Sequence, residues 1–152
     1  ETKHKTQVRP WSWADTWPIA ELEVPRLNIK EIVLMGDSGR VLAFGPGLTE
    51  SSAIPGKAGL SVISGHRDTN FKFLKELREG DQLTLNTQKG VFTFIIEELA
   101  IVDQRDFVIN REAFNETQSA RIMLVTCYPF NALTSGGDLR FIALAKSQDR
   151  AI

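Results

Sequence analysis

The sequence predicts a mainly β domain: a closed barrel of eight short strands with one or two short helices. Three observations carry that expectation. Eight runs rich in Val, Ile, Leu and Phe are separated by Gly, Pro, Asn and Asp signals. One stretch alone has its apolar residues at helical spacing. The length of 152 residues suits a single core, and many short strands in one domain are most simply relieved of exposed edges by closure.

The elements follow in order. ELEVP (21–25) and LNIKEIVLM (27–35) read as two strands broken by Pro25, and GDSG (36–39) as a turn. VLAF (41–44) is taken as a short strand before the loop signal GPG at 45–47. GLSVISGH (59–66) is a buried-looking strand ending at Gly65. DTNFKFLKEL (68–77) is the helix, with Asp68 placed to cap it and Phe71, Leu74 and Leu77 on one face. DQLTL (81–85) turns through TQKG (87–90) into VFTFIIEELAIV (91–102), a run long enough to bend or split. RIMLVTC (121–127) and LRFIALA (139–145) complete the set. Residues 1–20 form a tail and a Trp-rich segment, WSWADTW (11–17), ahead of a barrel spanning 21–152. That segment reads as a lid packed on the barrel, or as a belt facing a partner or a membrane interface.

Composition excludes several classes of function. Hydrophobic residues make up 42% and charged residues 24%, with a net charge of −1 and no basic stripe. Nothing here favours nucleic acid or an anionic membrane surface. One cysteine rules out an internal disulfide and a CxxC pair, and two histidines, one of them in the tail, do not make a zinc site. Neither a metal nor another cofactor is expected. There is no run of about 18 apolar residues, and ETKHKTQVRP reads as a solvated tail or a cut end from which an anchor is missing.

Three residues stand out for chemistry: His66 after SVISG, Cys127 after LVT, and Arg140 at the start of the last strand. Each lies at a strand end, and strand ends gather at barrel rims. A thiol attacks as thiolate, a small fraction near neutral pH at its ordinary pKa of about 8.5. An imidazole protonates a leaving amine. A guanidinium is no base, but it donates to an oxygen that becomes negative during acyl transfer. Against this stands a plainer reading, in which the lone cysteine is inert core, His66 a loop residue and Arg140 half of an ion pair with Asp138 or another acid.

The surrounding residues decide between them. LVTCYPF, with DLRFIALA downstream and SGHRDTNFKFLKELREGDQLTL upstream, closely resembles the sortase family. The family's TLxTC motif is met by Leu124, Val125, Thr126 and Cys127, with Met123 where the family has threonine. The family histidine falls on His66 and its arginine on Arg140, in the same chain order, and the likeness runs from about residue 22 to 145. RPWSWADTWPIAELEVPRL resembles the Gram-negative, marine proteobacterial branch. The resemblance implies an eight-stranded sortase barrel and a cysteine transpeptidase. Such an enzyme cleaves an LPxTG-like sorting signal of a secreted protein through a Cys127 thioacyl intermediate, then passes the acyl group to an amine acceptor. It also implies a periplasmic domain tethered to the inner membrane by an N-terminal anchor. Thr126 is expected to contact the peptide. Asp68 is expected either to orient His66 or to cap the helix. Calcium, which some sortases hold on loop carboxylates, finds only Glu97 and Glu98 clustered here. An L,D-transpeptidase would need a SHGC-type motif, and a papain-like peptidase a cysteine on a helix near the N-terminus. A catalytically idle peptide-binding barrel with a buried structural cysteine is the alternative of another class.

Overall fold

A computed structural model describes residues 16–107, 119–133 and 137–148. The eight strands are β1 (Pro18–Val24), β2 (Ile29–Met35), β3 (Gly47–Leu48), β4 (Gly59–Ser64), β5 (Gln82–Thr87), β6 (Gly90–Asp103), β7 (Ala120–Cys127) and β8 (Leu139–Ser147). They close into a barrel in the order β1-β2-β3-β4-β7-β8-β6-β5. Two contacts, β2 with β3 and β4 with β7, are parallel, and the rest are antiparallel.

Local sequence explains most elements. Pro25 cannot donate to a sheet ladder, so β1 ends at Val24 and a 3-10 turn, Pro25–Leu27, reverses the chain. Asn28 closes that turn at φ 56°, a left-handed conformation asparagine tolerates better than most residues. β1 starts at Pro18, ahead of the boundary expected at residue 21, because Pro18 already faces Leu34. The long β6 stays one strand and bends at a bulge between Ile96 and Glu98.

Two expectations are corrected. VLAF is not a strand: Gly39–Leu42 forms one helical turn, with Ser38 Oγ accepting from the Val41 amide at 3.3 Å. The strand that joins the barrel is Gly47–Leu48 instead. Gly47 passes so close to the Gly36 carbonyl that no side chain fits there. The helix over 68–77 is shorter than expected, a 3-10 helix at Lys72–Glu76 whose cap position is Phe71. Asp68 therefore caps nothing.

Strand alternation sends one set of side chains inward and leaves the other outside. Leu22, Leu83, Leu85, Phe94, Ile122 and Leu124 are among the fully buried residues of the main core. Each such side chain contributes about 1.5–3 kcal/mol relative to exposure. A second cluster, Leu60, Val62, Met123 and Ile142, forms from the opposite faces of β4, β7 and β8. The barrel thus carries a small apolar floor on its outside, and the site lies at the end of that floor.

Candidate active site

Register brings the three predicted residues together. β4 and β7 run parallel with Ser64 beside Val125. The Gly65 amide then donates to Val125 O at 3.1 Å, and the Thr126 hydroxyl donates to Gly65 O at 2.7 Å. One further step along each strand leads to His66 and Cys127. On the other side of β7, Cys127 is the direct antiparallel partner of Arg140. Directly opposed residues project from the same face with Cβ atoms about 4.5–5.5 Å apart. His66, Cys127 and Arg140 accordingly occupy three neighbouring strand ends at one rim.

Their surroundings differ. Cys127 is half-buried and belongs to neither core cluster, unlike the thiol of an idle barrel. Tyr128, Phe130 and Phe141 pack as a ring cluster with centroids 5.4–6.4 Å apart, fixing the chain just after the thiol. His66 is exposed, and its carbonyl accepts from the Phe71 amide at 2.9 Å, which turns the chain away from the rim.

Arg140 is tethered entirely to neutral oxygens. Nη1 donates to Gly137 O at 2.8 Å and Leu139 O at 2.9 Å, and Nη2 donates to Gln104 Oε1 at 2.9 Å. The pairing of Arg140 with Asp138 does not form. Arg105 takes that carboxylate at 3.5 Å and Asp103 at 2.6 Å. The Arg105 hydrogen bonds lower the Asp103 pKa from 3.8 to about 2.

Thr126, expected to contact the peptide, is turned away from the outer face. Its side chain is 2% exposed and points into the barrel, where the hydroxyl holds Gly65. Asp68 is exposed and makes no side-chain hydrogen bond to His66 among the described residues. Of the Trp-rich segment, Trp11 and Trp13 lie outside the described residues. Trp17 lines a separate pocket of about 190 Å³ with Ile19, Met35, Leu48 and Ile54. Among the described residues no three His, Cys, Asp or Glu side chains gather as metal ligands would, and Glu97 is bound by Arg121 at 2.8 Å.

A groove of about 240 Å³ runs from Arg140 along the outer floor, over Val62, Met123, Val125 and Ile142. Ser64, Gln104 and the Asp37–Thr49 pair supply polar edges. Sequence reasoning missed Gln104 and Asp37, which stand in turns with no motif around them.

A family description, the sortase domain, matches residues 22–148. The chain belongs to the sortase family. Sortase D of Bacillus subtilis (strain 168) is 37% identical over 110 residues, 72% of this chain and 54% of that protein. The chain thus spans about half the length of that relative. A sortase D5 transpeptidase of Clostridium perfringens superposes with a TM-score of 0.72 at 24% identity, covering 87% of this chain and 79% of the other. Sortase A from Corynebacterium diphtheriae gives 0.76 at 22% identity, with 90% and 63% covered. These superpositions establish that the eight-stranded barrel is the sortase fold.

Proposed function

We propose that this sortase domain is a cysteine transpeptidase. It cleaves an LPxTG-like sorting signal between threonine and glycine and transfers the threonyl end to an amine. The observation that carries this reading is the adjacency of His66, Cys127 and Arg140 on three neighbouring strand ends, with Arg140 lining a largely apolar groove. A mostly apolar peptide with few polar groups suits such a groove.

Each residue has a defined task. Cys127 Sγ, as thiolate, attacks the threonine carbonyl carbon, and its oxygen becomes an oxyanion that Arg140 stabilises by donated hydrogen bonds. The carbon–nitrogen bond then breaks, and His66 as imidazolium gives its proton to the departing glycine amine. A thioester remains. An incoming amine passes its proton to neutral His66 and attacks the same carbon, and the thiolate leaves. The reaction needs a thiolate and an imidazolium at once, so rate follows a bell-shaped pH profile. A rate that stays level from pH 5 to 10 would exclude this protonation scheme.

The placement belongs to the same proposal. The domain works at the cell envelope, held to the inner membrane and facing the periplasm, with a secreted protein's sorting signal and an amine acceptor as partners. Its support is the likeness of residues 9–27 to the Gram-negative branch. Among the described residues no helix is long and apolar enough to cross a membrane. Fractionation of cells expressing the full-length protein tests this placement.

Mass spectrometry tests the chemistry. The protein is mixed with an LPxTG-type peptide, with and without triglycine. An adduct on Cys127 that vanishes in Cys127→Ala, together with peptide joined to triglycine, is the expected result. No adduct across a peptide library, with a thiol that resists iodoacetamide in the folded protein, would leave the idle barrel standing.

A further inference from the structure

We infer that Gln104 is a positioning residue for Arg140, holding the guanidinium with a neutral acceptor so that its charge stays available to the oxyanion. The inference rests on the transpeptidase reading and deepens it.

The geometry places Gln104 between a cation and a carboxylate. β6 ends opposite the start of β8, with Val102 facing Arg140 and Asp103 facing Leu139. The Gln104 backbone amide donates to Asp138 O at 2.7 Å, which fixes the residue beside β8. Its side-chain amide then faces both ways. Oε1 accepts from Arg140 Nη2 at 2.9 Å, while Nε2 lies 3.5 Å from Asp138 Oδ1. A side-chain amide presents an acceptor to the guanidinium and a donor to the carboxylate at once.

The donor inventory shows what this arrangement leaves open. Nη1 donates to Gly137 O and Leu139 O, and Nη2 to Gln104 Oε1. Among the described residues Nε–H and one Nη2–H are left to donate to an incoming oxygen. Three neutral acceptors therefore orient the plane without neutralising it. The two nearby carboxylates, Asp103 and Asp138, are both engaged by Arg105. A carboxylate bound directly to Arg140 would compete with the developing oxyanion for the same charge.

Two substitutions separate this role from a plain groove contact. Gln104→Met keeps length but removes the acceptor, and Gln104→Glu keeps the acceptor but adds a charge. Rates are measured with the LPxTG-type peptide and triglycine, with melting temperature and iodoacetamide alkylation of Cys127 recorded alongside. Both variants should melt near the wild type and alkylate normally, since alkylation forms no oxyanion. In Gln104→Met, kcat should fall about 10-fold or more while KM moves less than about 3-fold, a split that points to an interaction made in the transition state. Gln104→Glu should also lose kcat about 10-fold. A change confined to KM would make Gln104 a groove residue and overturn the inference, as would wild-type kcat in Gln104→Glu. A variant that melts far below the wild type would assign Gln104 to stability and overturn it too. A wild-type protein that acylates no peptide would remove the transpeptidase reading itself, before either variant is compared.

Discussion

Replacing Thr126 by valine probes the strap between the strand ends that carry His66 and Cys127. Valine has nearly the shape of threonine, so packing in the barrel interior is preserved and only the hydroxyl is lost. That hydroxyl donates to Gly65 O at 2.7 Å in a site from which Thr126 is all but excluded from water. Losing a buried hydrogen bond and leaving its acceptor unsatisfied costs about 1–3 kcal/mol. For a domain of this size each kcal/mol lowers the melting temperature by about 2–4 °C, so Thr126→Val should melt about 2–12 °C below the wild type. Gly65 precedes His66 and Thr126 precedes Cys127, so the bond also fixes the spacing of these two residues. Formation of the thioester, followed by mass, should therefore slow at temperatures where the variant is fully folded. Thr126→Ser restores the hydroxyl and should recover most of both losses. A variant that melts within about 1 °C of the wild type and acylates at its full rate would refute the idea that this bond aligns the site.

Three further outcomes follow from other contacts. In Gly65→Ala the new methyl carbon would sit 2.7–3.0 Å from the ring of the fully buried Phe71; overpacking of this kind costs about 1–3 kcal/mol, and urea unfolding should show it with acylation reduced. The bidentate bond from Arg26 lowers the pKa of buried Asp81 from 3.8. That stabilisation is present above the ordinary carboxylate value and fades as pH falls through the lowered one, so Arg26→Met should be less stable at pH 7 and approach the wild type below about pH 4. A gap unchanged at pH 2 would show that the ion pair is not its source. In Ile142→Glu a charge replaces an apolar side chain on the groove floor; KM for the sorting peptide should rise about 10-fold or more, and an unchanged KM would move the peptide elsewhere.

The strand ends were legible because the chemistry marks them. Cys127 before Tyr-Pro, His66 after Gly65 and Arg140 opening the final strand are local signals. What joins them is not local: the parallel pairing of β4 with β7 spans 61 residues between Gly65 and Thr126, and no turn or periodicity announces it. The burial of Thr126 could have been read. If Cys127 faces outward to meet a peptide, strand alternation turns Thr126 inward. VLAF misled because Val and Phe favour strands in isolation, whereas Ser38 caps a turn there and Gly47–Leu48 pairs with β2. Gln104 had no signal at all, since its meaning depends on which residues of β8 lie across from it.

The parallel seam also sets when the site comes into being. Antiparallel neighbours such as β5 and β6 zip from a tight hairpin, but β4 and β7 meet only after the whole intervening chain has closed, a non-local step of the kind that slows folding. Until then Cys127 lacks His66 beside it, whereas Arg140 reaches it across the shorter connection between β7 and β8. Under the proposed transpeptidase reading, reactivity is a certificate of completed folding: an unfinished or partly unfolded chain carries Cys127 without His66 set beside it.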